Sequence, residues 1–105
     1  MGMTALLPLT YALTLTTSSV QILPANPTRK GVAFSNPGPN SVAVCPAVGN
    51  AGQAVAAVIN GAGSITILPG GLLLVPQNTW PDAVATCAWN AIASGGSTPF
   101  TAWEF

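Results

Sequence analysis

The feature that most constrains this chain is its punctuation. Eleven glycines and ten prolines are spread through 105 residues, and with the asparagines they cut the sequence into short apolar pieces. No piece carries apolar side chains three and four apart for long enough to make a long amphipathic helix, and there is no strict repeat. The pieces read instead as strands. They are "TYALTLT" (10–16), "VQIL" (20–23), "GVAFSN" (31–36), "SVAVCP" (41–46), "SITIL" (64–68), "LLLVP" (72–76), "AWNAIAS" (88–94) and "TPFTAWEF" (98–105). Each is β-branched, aromatic or alternating, and each is bounded by turn residues.

The connections have their own chemistry. "NPGPN" (36–40) is a compact turn, because proline fixes φ while glycine and asparagine tolerate positive φ. "LPGG" (68–71) and "ASGGS" (93–97) read as hairpin connections. "GQAVAAVIN" (52–60) mixes helix-forming alanine with valine and isoleucine between glycine-rich flanks, and is expected to be a loop or weak strand. The fold expected is all-β: a single domain over residues 1–105, with 1–9 as an N-terminal arm. It would be a β-sandwich or squashed barrel of about eight short antiparallel strands, jelly-roll-like. Alternation places Leu13, Leu15, Ile22, Val32, Phe34, Val42, Val44, Ile65 and Ile67 on the inward faces.

Charge is nearly absent. Arg29 and Lys30 are the only cations, Asp82 and Glu104 the only acids, and there is no histidine. General acid–base catalysis needs a group that titrates usefully, and the familiar triads need a base beside the nucleophile. Asp82 and Glu104 would have to do all such work unaided. Cys45 and Cys87 are isolated thiols without the clustered ligands of a zinc site. "GAGS" (61–64) precedes a strand, not a helix, and reads as a turn and not a phosphate loop. The chain is therefore expected to be non-enzymatic and to need no cofactor or metal.

The same scarcity bears on partners. One Arg–Lys pair cannot supply the many phosphate contacts of nucleic-acid binding. Half of the residues are hydrophobic, which argues against disorder. "ALLPLTYALTLTTSSV" (5–20) is the most membrane-like stretch, but Pro8 and its threonines interrupt it and no basic flank accompanies it. It lacks the positive n-region of a signal peptide, so synthesis in the cytoplasm is expected. A surface with only 4 % charged residues has little to keep copies apart. Much of it is expected to be covered by other subunits in a homo-oligomer, a trimer being favoured.

The series "ILPANPTRKGVAFSNPGPNSVAVCPA … GAGSITILPGG … AWNAIASGGSTPFTAWEF" resembles small structural proteins of tailed bacteriophages. The shared pattern is "ANPxRKG" leading into a strand and an asparagine-rich turn, an "LPG" turn after a "GSI" strand, and a close on a Trp-bearing strand, "GGST" and an aromatic–Glu end. It covers roughly residues 20 to 105. The resemblance implies a virion component assembled in the host cytoplasm: a capsid decoration or cement protein on the major capsid protein lattice, a head spike or a tail accessory. It carries over no site residues.

Four residues are candidate interface positions: Arg29, Lys30, Trp103 and Glu104. Two readings of the cations stand. They are a solvated strand entrance, or Arg29 forks onto a carboxylate of a neighbouring subunit and Lys30, on the opposite face, is the looser partner. On the second reading Arg29 matters more to assembly than to monomer stability. The two cysteines are expected to be buried reduced thiols. Trp80, Trp89 and Trp103 are expected to be core residues, with a glycan-binding role as the alternative.

Overall fold

The computed structural model describes residues 9–49, 51–76 and 86–105. Eight strands appear in the order β1 (Leu9–Leu15), β2 (Val20–Leu23), β3 (Gly31–Ser35), β4 (Val42–Pro46), β5 (Ile65–Ile67), β6 (Leu72–Pro76), β7 (Trp89–Ala93) and β8 (Thr98–Glu104). All pairings are antiparallel. They form two four-stranded sheets, β1-β8-β3-β6 (sheet A) and β2-β7-β4-β5 (sheet B). Those two strand orders are those of the eight-stranded jelly roll. β1 begins at Leu9, the last residue of the expected arm, and the remainder of that arm lies outside the described residues.

The strands fall where the sequence pieces predict, but two connections do not. "LPGG" joins β5 to β6 and "ASGGS" joins β7 to β8, and in both cases the strands belong to different sheets. Neither is a hairpin: each is a corner that carries the chain across the core. β4 and β5 are the only successive described strands that pair with one another. Segment 52–60 is a loop touched by one isolated bridge, Val48 to Ala54.

Period-two alternation builds the core. In β8, Thr98, Phe100, Ala102 and Glu104 turn inward while Pro99, Thr101 and Trp103 turn out. Phe34 sits at the centre, its ring 5.1 Å from Trp89 at a 56° tilt and 6.0 Å from Phe100, the offset and tilted arrangements that aromatic quadrupoles favour. Leu15, Leu23, Val32, Val42, Val44, Ile67 and Val75 complete the buried cluster. In β2 the register slips between Gln21 and Leu23. That bulge turns both Ile22 and Leu23 inward. Leu13 is only half-buried, and Ile65, in the three-residue border strand β5, is 41 % exposed, so it does not join the core as expected.

The outer faces of the two sheets differ. Over sheet B, the Val55 carbonyl accepts Asn90 Nδ2 at 2.6 Å and Cys45 Sγ at 3.8 Å, and Ser19 Oγ accepts the Ala57 amide at 2.9 Å. The 51–61 segment thus lies over that sheet, and Ala43, Cys45 and Ala57 are buried beneath or within it. Sheet A has no such cover among the described residues.

Candidate functional site

Candidate sites include the two ends of the sandwich and the bare face of sheet A. At one end the β2–β3 connection builds a cradle for Arg29. Asn26 Oδ1 accepts the Thr28 amide at 3.1 Å and its hydroxyl at 2.8 Å, while the Asn26 carbonyl accepts the Arg29 amide at 3.1 Å. This turn, with Pro27 in its second position, aims Arg29 under the end of the sandwich. β8 delivers Glu104 to the same point, since its register sets Glu104 beside Val32 on one side and Leu9 on the other.

The two charges meet there. Arg29 donates from Nε at 2.8 Å and lies 2.7 Å away through Nη2, both to Glu104 Oε2. Arg29 also donates to the carbonyls of Cys87 at 2.8 Å and Pro24 at 2.6 Å. Glu104 Oε1 accepts Tyr11 Oη at 3.1 Å and Asn26 Nδ2 at 3.4 Å. Arg29 is 2 % and Glu104 5 % exposed. Tyr11 stays protonated above its ordinary range, first because of burial and then because of its hydrogen bond to, and the charge of, Glu104.

This corrects both readings of Arg29. It is not a solvated strand entrance, and its carboxylate comes from its own chain rather than a neighbour. Glu104 is likewise an internal group and not a surface charge. Lys30, next along the chain and like Arg29 ahead of β3, is exposed. Backbone bonds hold the pair in place: the Phe105 carbonyl accepts the amides of Lys30 at 2.5 Å and Gly31 at 2.9 Å, and the Phe105 amide donates to Gly31 at 3.1 Å. A side chain at Gly31 would meet the Val75 carbonyl at 2.9 Å and the Phe105 ring at 3.1 Å, so the close approach depends on glycine. Asp82 and Trp80 lie outside the described residues.

A second polar knot closes the other end. Asn36 is fully buried; its Nδ2 donates to the carbonyls of Asn40 and Ile67, each at 2.8 Å, and its Oδ1 accepts the Gly38 amide at 2.9 Å. Its backbone exchanges bonds with Gly70 and Gly71. Asn40 Nδ2 donates to Thr98 Oγ1 at 2.9 Å, which donates to the Gly95 carbonyl at 2.8 Å. One side chain thereby ties the β3–β4 and β5–β6 corners together. These knots are satisfied hydrogen-bond networks of the kind that specify a fold.

The remaining expectations resolve separately. Neither cysteine is in a disulfide; Cys45 is buried but Cys87 only half-buried, and burial raises the pKa of both thiols. Trp89 is a core residue, and its Nε1 has no hydrogen-bond partner among the described residues. Trp103 is 48 % exposed and is not core. It stands on the outer face of sheet A, where the register sets it in a row with Ala33 and Leu74, next to a row of Thr101, Ser35 and Leu72. Leu72 is 71 % and Leu74 52 % exposed. Small Ala33 and Ser35 leave a hollow of about 310 Å³ between Trp103 and Leu72, with the Thr101 side chain on its wall. Alternation along β8 was the signal that separates Trp103 from Glu104: neighbours in a strand cannot share a face.

No helix among the described residues is long and apolar enough to cross a membrane. Compared with protein-family models, curated proteins and solved structures, the chain matches none.

Proposed function

We propose that this chain is a non-enzymatic structural subunit of a tailed-phage particle, a decoration or cement protein that docks on the major capsid protein lattice after synthesis in the host cytoplasm. The observation that carries the reading is the distribution of charge. Arg29 and Glu104 neutralise one another inside the fold, so Lys30 is the one exposed charged side chain among the described residues. Free domains average about 25 % charged residues, largely at the surface. A face whose described rows are Trp103, Ala33 and Leu74 and Thr101, Ser35 and Leu72, none of them charged, is suited to being covered. The jelly roll supplies a rigid plate for that face, and many identical contacts of modest strength would reinforce a lattice by avidity. The resemblance to phage structural proteins points the same way.

The test is reconstitution. Particles assembled without this chain should bind the purified protein saturably and gain heat resistance. Particles that ignore it, and are as heat-resistant without it, would remove the reading.

One observation favours a second reading, a glycan-binding tail or baseplate accessory. Trp103 borders the hollow together with Ser35 and Thr101, an aromatic plate beside two hydroxyl-bearing residues. Selective glycan binding by the purified chain, abolished by Trp103→Ala, would favour this reading over lattice docking.

A further inference from the structure

A strand at the border of a sheet offers a row of unpaired N–H and C=O groups to any other strand, and proteins normally blunt such edges with charge, proline, bulges or shortness. Among the described residues this sandwich has four border strands: β1 and β6 in sheet A, β2 and β5 in sheet B. Three are blunted. β5 has three residues, β2 has four and is broken by its bulge, and β6 ends in Pro76, which has no N–H to donate. β1 is different. It has seven residues, none of them proline, glycine or charged, and it runs against β8 through seven successive pairs without a slip. Among the described residues no strand pairs with its other edge.

The sequence of β1 is also nearly a palindrome: LTYALTL read backwards is LTLAYTL. Laid antiparallel on a second copy about a two-fold axis through Ala12, it would oppose Leu9 with Leu15, Thr10 with Thr14, Tyr11 with Leu13 and Ala12 with itself. The alternation then works on both faces at once. Thr10, Ala12 and Thr14 lie on the exposed outer face and would form two Thr–Thr pairs around an Ala–Ala pair. Leu9, Tyr11, Leu13 and Leu15 turn the other way and would meet one another across the axis. Thr–Thr and apolar cross-strand pairs are stabilising, and charge is the device that would oppose them. Leu9, 54 % exposed in the single chain, gains an apolar neighbour.

We propose that the free edge of β1 is a strand-pairing site and that its occupant is β1 of a second copy of this chain. The sheet A of each copy then continues into the other through backbone hydrogen bonds, and the bare outer face doubles in width. An edge that pairs with itself is an isologous contact, which closes as a two-fold dimer and does not by itself build the trimer expected from composition. The inference stands apart from the virion reading, because the purified chain alone tests it.

Sedimentation of the full chain across a concentration series should show a monomer–dimer equilibrium. Thr10→Lys with Thr14→Lys places like charges opposite one another in two cross-strand pairs, and should weaken the dimer by at least about tenfold without changing the far-ultraviolet circular dichroism. Thr10→Glu with Thr14→Glu should do the same, and mixing the two variants should restore a heterodimer. In the unmodified chain, exchange of β1 amides should slow as concentration rises while that of β6 amides does not, a readout that holds even if the variants fail to fold. A chain that stays monomeric at the highest concentration, variants that associate as well as wild type, folded variants whose mixture remains monomeric, or β1 exchange independent of concentration would overturn the proposal.

Discussion

At the residue scale, the adjacent cations Arg29 and Lys30 have opposite fates. Arg29 is enclosed with Glu104, and Lys30 is in solvent. Removing one member of a buried pair leaves the other charged and unsolvated, which costs about 3–5 kcal/mol, whereas changes at exposed positions stay within about 0.5 kcal/mol. Arg29→Ala is therefore expected to lower monomer stability by about 3–5 kcal/mol in chemical denaturation, and Lys30→Ala to leave it within about 0.5 kcal/mol. Equal small effects would mean that the pair is solvated. Tyr11 adds a pH signature. Burial and Glu104 hold its pKa above the ordinary 10.0, so as pH rises the unfolded chain loses this proton before the folded one does. The folded state then binds more protons, and stability falls from about pH 10 until the folded phenol also titrates. The thiols of Cys45 and Cys87 act with the same sign from their ordinary 9.0. Tyr11 is the only tyrosine, so its phenolate absorbance can be followed directly. It should titrate above 10.0, and Tyr11→Phe should remove only the part of the alkaline stability loss that begins there.

At the scale of elements, Asn36 is the joint between two corners. Asn36→Ala removes three side-chain hydrogen bonds and takes a partner from the buried Ile67 carbonyl and Gly38 amide and from the half-buried Asn40 carbonyl. Each such orphan costs about 1–3 kcal/mol where water cannot reach it, so a loss of at least about 2 kcal/mol is expected in thermal or denaturant melting. A loss confined to tenths would show that water replaces the side chain. Which strands exist was legible in the sequence, because proline and glycine mark their ends and alternation marks their faces: Leu15, Phe34 and Val44 all turn inward as read. How the strands connect was not legible. "LPGG" has the residues of a hairpin, but whether the next strand folds back beside the last or crosses the core depends on what already occupies the neighbouring edge. Here β3 lies between β8 and β6, a long-range arrangement that no local turn encodes. The partner of Arg29 was hidden for the same reason, since Glu104 is 75 positions away and reaches Arg29 only once β8 lies between β1 and β3. Its inward direction was nonetheless readable from the alternation Phe100, Ala102, Glu104.

At the scale of the whole molecule, the sandwich is two-sided. Sheet B is covered by the chain's own 51–61 segment, while sheet A presents the exposed apolar Leu72, Leu74 and Trp103. Both ends are closed by polar networks whose members bond to one another. Among the described residues the bare face and the β1 edge are left for partners, and the proposed role is to lay that face on a particle. The measurement that tests this most directly is a reconstruction of the particle by electron cryomicroscopy, at a resolution that separates strands. The account predicts this jelly roll in repeated copies on the shell, with Trp103 and Leu72 of sheet A packed against neighbouring subunits. A particle without this chain, or with sheet A turned to solvent and the 51–61 segment against the shell, would contradict it.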